Sequence, residues 1–480
     1  MATSMETMQK IRLALLVFGI SIVTAQTAPA QTTSQSPTGT TPAPAFGQTA
    51  PILSPENPPV TGLDEPGLDL HTATASFVSP ALQVSESADT NGANAVGGSG
   101  LEGVTRVLGA LDLQQFWPKS DLILEYLGGG EFYSSPYQAV QLQALGLEGV
   151  TRWRTGQVTV RDSFSYLPDG TFVMGFGGIP GLGLANGGMG IGMQGGGLPG
   201  LNNPSGQLAT IGNIPRLSNT AILDAVQALN PVSAITLAGG FSNAHFYDSN
   251  CVDSCLGNSD QITIQGGYSH LLNRHDQIGV VYAFQLFQFP QTTGGQIYLH
   301  IVNLRYSHTI TGRLSLIAGA GPQYTEVENG GYDKRWSLSA RATLRYKFAH
   351  SSVYASYEKY TSAGSGFSDG ADIQTAWLGY SRPLGRTWQF FGDLGYSHST
   401  QIQANALYSN FPTRSNSGNA GAILRKHLGR SYDFFASYRF GEVGFNSTVP
   451  ADAGVGTGNI SQRQIGTVGV EWHPRPTRIE

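Results

Sequence analysis

Charge is the scarcest ingredient of this 480-residue chain. Asp, Glu, Lys and Arg together make up 12% of it, about half the ~25% of an ordinary soluble protein. The 27 basic residues are outnumbered by 32 acidic ones, for a net charge of −5. No basic surplus exists to hold nucleic acid. Cysteine is nearly missing: Cys251 and Cys255 are the 2 in the sequence, which excludes a cysteine-dense scaffold. Neither stands near the N-terminus, so a lipid-modified N-terminal cysteine is excluded as well. Long hydrophobic runs are also lacking, because no stretch after Ala25 approaches the about 20 apolar residues of a spanning helix. Mean hydropathy is −0.12, and a bundle of membrane helices is ruled out.

Glycine and aromatic residues are abundant, with 63 Gly, 20 Tyr and 22 Phe. The opening residues read as a secretory signal spanning 1–30. Lys10 and Arg12 precede an apolar core from Leu13 to Ala25, and Ala28-Pro29-Ala30 offers a small-residue cleavage site. Residues 31–74 are rich in Pro, Thr, Ser and Gln and are expected to form a disordered periplasmic tail. In an exported chain, Cys251 and Cys255 are expected to close a small disulfide around a loop tip. No metal site is expected there, nor any cofactor elsewhere.

From about residue 75 to Trp472 the pattern alternates at period 2 in runs of ten to fourteen residues. Soluble strands average about 5–6 residues, whereas tilted bilayer-spanning strands need about 9–11. The run from Arg335 to Lys347 is the clearest. Trp336, Leu338, Ala340, Ala342, Leu344 and Tyr346 share one face; Arg335, Arg341, Arg345 and Lys347 share the other. An arginine turned toward lipid costs roughly 2–4 kcal/mol at the midplane, so the charged face must point inward. The same reasoning gives a list of pore-lining residues: Arg305, Arg313, Arg335, Arg341, Arg345, Glu358, Asp393, Arg425 and Arg439. One run resists this treatment. Between Gln157 and Leu167 the apolar face also carries Asp162, which suggests a bulge or a shifted register.

Short and long connections alternate. Short ones fall near Trp117–Ser120, Arg154–Gly156, Asn230–Pro231, Asn273–His275, Ile310–Gly312, Ala349–His350, Pro383–Arg386 and Gly429–Ser431. The connection near Ser134–Tyr137 is short where the scheme wants a long one. Four hairpins repeat a theme in which Gly or Asn supplies a tight turn and Arg opens the next strand, as in Gly312-Arg313, Gly385-Arg386, Gly429-Arg430 and Asn273-Arg274. Counting runs predicts a transmembrane antiparallel up-and-down β-barrel of about 18 strands. The count falls to 16 if the pair near 75–87 and 102–115 is not real.

The expected organisation is a signal at 1–30, a tail at 31–74, the barrel at 75–472 and a C-terminal tail at 473–480. With its leader, its girdled alternating strands, its unequal loops and a last strand ending Val468-Gly469-Val470-Glu471-Trp472, the chain resembles the porin-like outer-membrane β-barrels of Gram-negative bacteria. It departs from them in continuing past Trp472. The resemblance implies outer-membrane lipid and the barrel-assembly machinery as partners, with self-association into a homo-oligomer open to it. It also implies passive diffusion of small polar solutes, with a structural or adhesive barrel of blocked lumen, or a polysaccharide exporter, as the rival readings. The glycine-rich stretch Met174 to Gly206 suits an inward constriction, a mobile external loop or a self-association patch. No nucleophile motif stands out, and the histidines are scattered singly, so no enzyme is expected.

Overall fold

Period-2 alternation becomes strand along nearly the whole described chain. The computed structural model describes residues 76–480 apart from 94, 135–136, 168–215, 247–256, 291–294, 312, 329–331, 364–367, 405–410, 430, 450–455, 476 and 480. The expected signal, the 31–74 tail, the Cys251–Cys255 disulfide and the glycine-rich stretch all lie outside the described residues.

The first six strands are β1 (Ser76–Asp89), β2 (Glu102–Phe116), β3 (Ser120–Ser134), β4 (Tyr137–Trp153), β5 (Gly156–Leu167) and β6 (Arg216–Asn230). Next come β7 (Ser233–Phe246), β8 (Ser259–Leu271), β9 (Asp276–Gln288), β10 (Ile297–Thr311), β11 (Leu314–Glu328) and β12 (Tyr332–Lys347). The series ends with β13 (Ser352–Ser362), β14 (Ser368–Leu384), β15 (Trp388–Ala404), β16 (Arg414–Leu428), β17 (Tyr432–Val449), β18 (Gly458–Trp472) and the short β19 (Thr477–Ile479). Each of β1 to β18 pairs antiparallel with its sequence neighbours, and β1 pairs with β18. The result is a closed 18-strand barrel. Both strands of the doubtful first pair are present, which removes the 16-strand alternative. Residues after Trp472 do not simply trail away, because Thr477–Ile479 pairs with Val78–Ser76 at the foot of β1.

Two physical facts set the wall. A closed ladder leaves no sheet edge wherever neighbouring strands stay paired, and alternation separates two chemically distinct faces. In β9, Ile278, Val280 and Tyr282 face outward and are exposed, while Gln277, Val281 and Gln285 face inward and are buried. Leu82, Leu237, Leu304, Leu338 and Val468 continue the exposed apolar belt on other strands. An exposed belt of this kind is a surface built for hydrocarbon. Aromatic rings mark its borders. Tyr282, His300, Tyr324 and Trp336 run across β9–β12 with successive ring centroids 6.3, 6.2 and 5.1 Å apart.

All eight expected short connections lie at one end of the barrel, and most of the longer ones lie at the other. β3–β4 is the expected exception; β11–β12, expected to be long, is a second, because β11 runs to Glu328 and β12 begins at Tyr332. Gly385 and Gly429 adopt φ of 82° and 79° in two of the tight turns. A side chain at either would meet nothing within 4 Å, so the need there is for the left-handed conformation rather than for space. The β8–β9 turn uses a different device: Asn273 Oδ1 accepts from the backbone N–H of His275 at 2.7 Å and of Asp276 at 3.0 Å. The turn arginines require a correction. Arg274, Arg313 and Arg386 precede their strands, which begin at Asp276, Leu314 and Trp388.

Asp162 is a second correction. β5 keeps continuous register with β4 and β6, with no bulge. Asp162 stands on the outer face, where Asn219 Nδ2 donates to it at 2.9 Å. A polar partner on the next strand accommodates the carboxylate without shifting the ladder.

Candidate functional site: the barrel interior

Inward-facing side chains meet their partners across neighbouring strands. Arg341 Nε stands 3.3 Å from Glu358 Oε1, and both lie on a row that continues through Gly319 to Arg305. Gly319 leaves room for that row, because a Cβ there would come within 3.1 Å of Arg305 Cγ. Arg425 lies between Asp433 and Glu471, 3.6 Å from each, near the short-turn end. Beside them His473, just past β18, has its pKa raised, first by a hydrogen bond to the Asp433 carboxylate. Asp393 and Arg439 occupy inner-face positions of β15 and β17.

Arg335 also faces inward, paired with Asp372 at 2.5 Å. Arg345 holds an inner-face register position opposite Ser315, with its side chain outside the described residues. Arg313 does not line the wall. Thr311 Oγ1 accepts from the N–H groups of Arg313 and Leu314 at 3.2 and 3.1 Å, so the turn closes around Arg313 and leaves it exposed at the rim.

Sequence reasoning missed the inward charges of β2–β6 and of the closing seam between β1 and β18. Arg106 pairs with Glu131, and Arg161 bridges Glu148 at 2.9 Å and Asp224 at 2.6 Å. Arg463 holds Asp89 at 2.6 Å with both residues almost wholly buried. Their strands also place Leu108, Leu127 and Leu142 inside, so neither face reads as polar. The register itself was the usable signal: once Val107 is placed outside, Arg106 must be inside.

The interior holds a feature that the period could not announce. β13 follows β12 for eight partners, from Ser352↔Lys347 to Lys359↔Ala340. Above that point β12 continues to Tyr332 against β11 alone, while β13 and β14 remain paired with each other to Ser362↔Ala371. The upper ends of β13–β15 leave the wall and tuck inside. Thr361 accepts from Gln323 Nε2 at 2.6 Å, and Asp372 takes Arg335; both partners are on the inner faces of β11 and β12. Further round, Ala363 and Ile402 pack on a buried apolar cluster of Phe287, Phe289, Ile297, Leu299 and Val327. Gly370 touches the same cluster with φ of 79°, and a Cβ there would stand 2.5 Å from Ile297 Cδ1. This tucked tip narrows the lumen at the long-loop end, and its outer face forms the contact.

No family model matches the sequence, and no curated relative does. Solved structures with a similar trace include Pseudomonas aeruginosa OccK5 (OpdH), at 11% identity and a TM-score of 0.40, over 84% of this chain and 98% of that one. P. aeruginosa OccK2 (OpdF) in complex with glucuronate matches at 10% identity and a TM-score of 0.40, over 85% and 100%. The P. aeruginosa outer membrane protein OpdK matches at 10% identity and a TM-score of 0.39, over 83% and 98%. These likenesses are distant; the barrel architecture rests on the strand ladders themselves.

Proposed function

We propose that the protein is a porin-like channel of the outer membrane, through which small hydrophilic solutes diffuse passively. The supporting observation is the inversion of polarity across the wall. Leu304, Leu338 and Val468 are exposed outside, whereas Arg106, Arg341, Arg463 and Glu471 are buried inside. A soluble barrel would need the opposite arrangement. In this reading the short-turn end faces the periplasm, and the strands are delivered and folded by the barrel-assembly machinery. Charge along the wall then biases which ions and solutes pass.

The tucked β13–β15 tip favours a second reading, a structural or adhesive barrel whose lumen stays blocked. Planar-bilayer recording of the purified full-length protein separates the two. The channel reading expects discrete ohmic steps; a correctly folded but silent barrel overturns it. Replacing Arg305 and Arg341 together with Ser should move the reversal potential toward cation selectivity, and an unmoved potential removes these arginines from the selectivity element.

A further inference from the structure

The inner face of β15–β17 holds an arrangement that the diffusion reading does not use. Backbone register sets six inward positions in two rows on three adjacent strands. One row is Asp393, Gly421 and Arg439; the next is Gly395, Asn419 and Gly441. Polar side chain and glycine alternate along both rows. Gly421 leaves the space that the aspartate fills, since a Cβ there would stand 2.7 Å from Asp393 Oδ1 and push the carboxylate aside. The aspartate therefore leans over a floor without side chains.

The polar groups around this floor are unsatisfied. Arg439 is 5% exposed, and none of its three guanidinium nitrogens has a hydrogen-bond partner. Both side-chain polar atoms of Asn419 and the Oδ2 of Asp393 are buried and equally without partners. Other interior arginines differ: Arg106, Arg341 and Arg463 each hold a carboxylate within 3.3 Å. Asp393 and Arg439 are two strands apart, roughly 10 Å between backbones; each feels the other's charge across Gly421, yet no contact ion pair closes between them. A buried guanidinium left without hydrogen-bond partners is among the costlier things a fold can retain.

We infer that this slot binds a small zwitterionic solute. Its carboxylate lies on Arg439, its ammonium group on Asp393, and its remaining polar atoms against Asn419. A simple anion would satisfy Arg439 but face Asp393, and a simple cation would meet the reverse, whereas a molecule carrying both charges answers both. The inference rests on the channel reading for access from the lumen, and it names the class of solute that would dwell there.

The test is equilibrium calorimetry of the full-length protein in detergent, with L-serine as probe, lactate as the anion-only control and ethanolamine as the cation-only control. Serine is expected to bind about tenfold or more tightly than either control. Asp393→Asn and Arg439→Gln should each weaken serine by about tenfold or more, while Leu304→Ala on the outer face leaves it unchanged. Should a single variant fail to fold, the charge-exchanged Asp393→Arg/Arg439→Asp protein, with heat-modifiable mobility as the folding check, should recover serine binding. Lactate binding as tightly as serine and indifferent to Asp393→Asn would overturn the proposal, as would no heat from serine in folded protein. Because no flux is involved, a barrel that binds serine but stays silent in bilayers would sink the channel reading and leave the slot intact.

Discussion

Two ladders in this barrel are equally short and end in opposite ways. β1 and β18 share eight partners, from Leu82↔Trp472 to Asp89↔Ile465. β12 and β13 also share eight. Above the first, the chain leaving β1 covers the remaining edge of β18. Thr90 N–H donates to Gln464 O at 3.0 Å, Gly97 N–H to Ile460 O at 2.9 Å, and Asn91 Nδ2 to Gln462 O at 3.2 Å. Above the second, the upper edge of β12 has no strand partner among the described residues on that side, because β13 has turned into the lumen. Backbone groups bordering a membrane must find partners. One seam finds them in a following loop; at the other, the departing strands make their contacts inside. Ladder length alone therefore does not say whether a wall is sealed.

The strongest way to break this comparison is at the closing seam. Arg463→Met removes the guanidinium that donates to both carboxylate oxygens of buried Asp89, and should destabilise the barrel by about 3–5 kcal/mol. Denaturant unfolding followed by tryptophan fluorescence should show it, with Arg463→Met/Asp89→Asn recovering most of the loss. Equal midpoints for single and double variants would contradict a pairing role. Next in size is Gly370→Val. Its positive φ and its contact with Ile297 both oppose a side chain, at a cost of about 1–3 kcal/mol. The tip should be released, seen as faster proteolysis near Ala363 and, if the barrel conducts, as a larger step.

Asn91→Ala removes the polar cover of β18 and is worth about 1–3 kcal/mol locally. Amide exchange at Ile460–Gln464 should then rise toward that of the uncovered β12 edge; unchanged protection would assign the sealing to other groups. Smaller again is Asp372→Asn, since its pair with Arg335 is partly exposed, at 24% and 34%, and such pairs contribute about 0–1 kcal/mol. Tip proteolysis should quicken only slightly.

The smallest effect concerns the foot of the closing seam. The pKa of His473 is raised by Asp433 above its free value of about 6.5, so it favours the folded state while protonated. That contribution is complete below about pH 6.5 and is lost as pH rises through the higher folded value. The protection factors of Thr477–Ile479, with intrinsic base-catalysed exchange divided out, should fall with rising pH in the wild type and lose that dependence in His473→Gln.

Much of the wall was legible in residues. Trp336 to Tyr346 against Arg335 to Lys347 required one orientation, because the cost of arginine in lipid exceeds any gain from reversing it. Turn positions were legible for a similar reason, since few residues reach a left-handed φ. Arg313 was misplaced because alternation does not mark the residue at which a turn hands over to a strand; Thr311 decided that with one hydroxyl. Arg106 and Arg463 were missed because apolar neighbours inside the wall erase the hydropathy contrast.

The amino-acid sequence by itself determined that this chain makes long antiparallel strands with one greasy and one polar face, joined by short turns at one end. Those properties follow from local sterics and from a transfer cost that each residue carries wherever it is placed. Only the tertiary structure decided that β13 parts from β12, that Ile402 packs on the cluster containing Phe287 and Leu299, and that Asp393, Asn419 and Arg439 share adjacent rows with glycine. Such contacts join residues far apart in the chain, and their energies exist only once the ring has closed and brought them together.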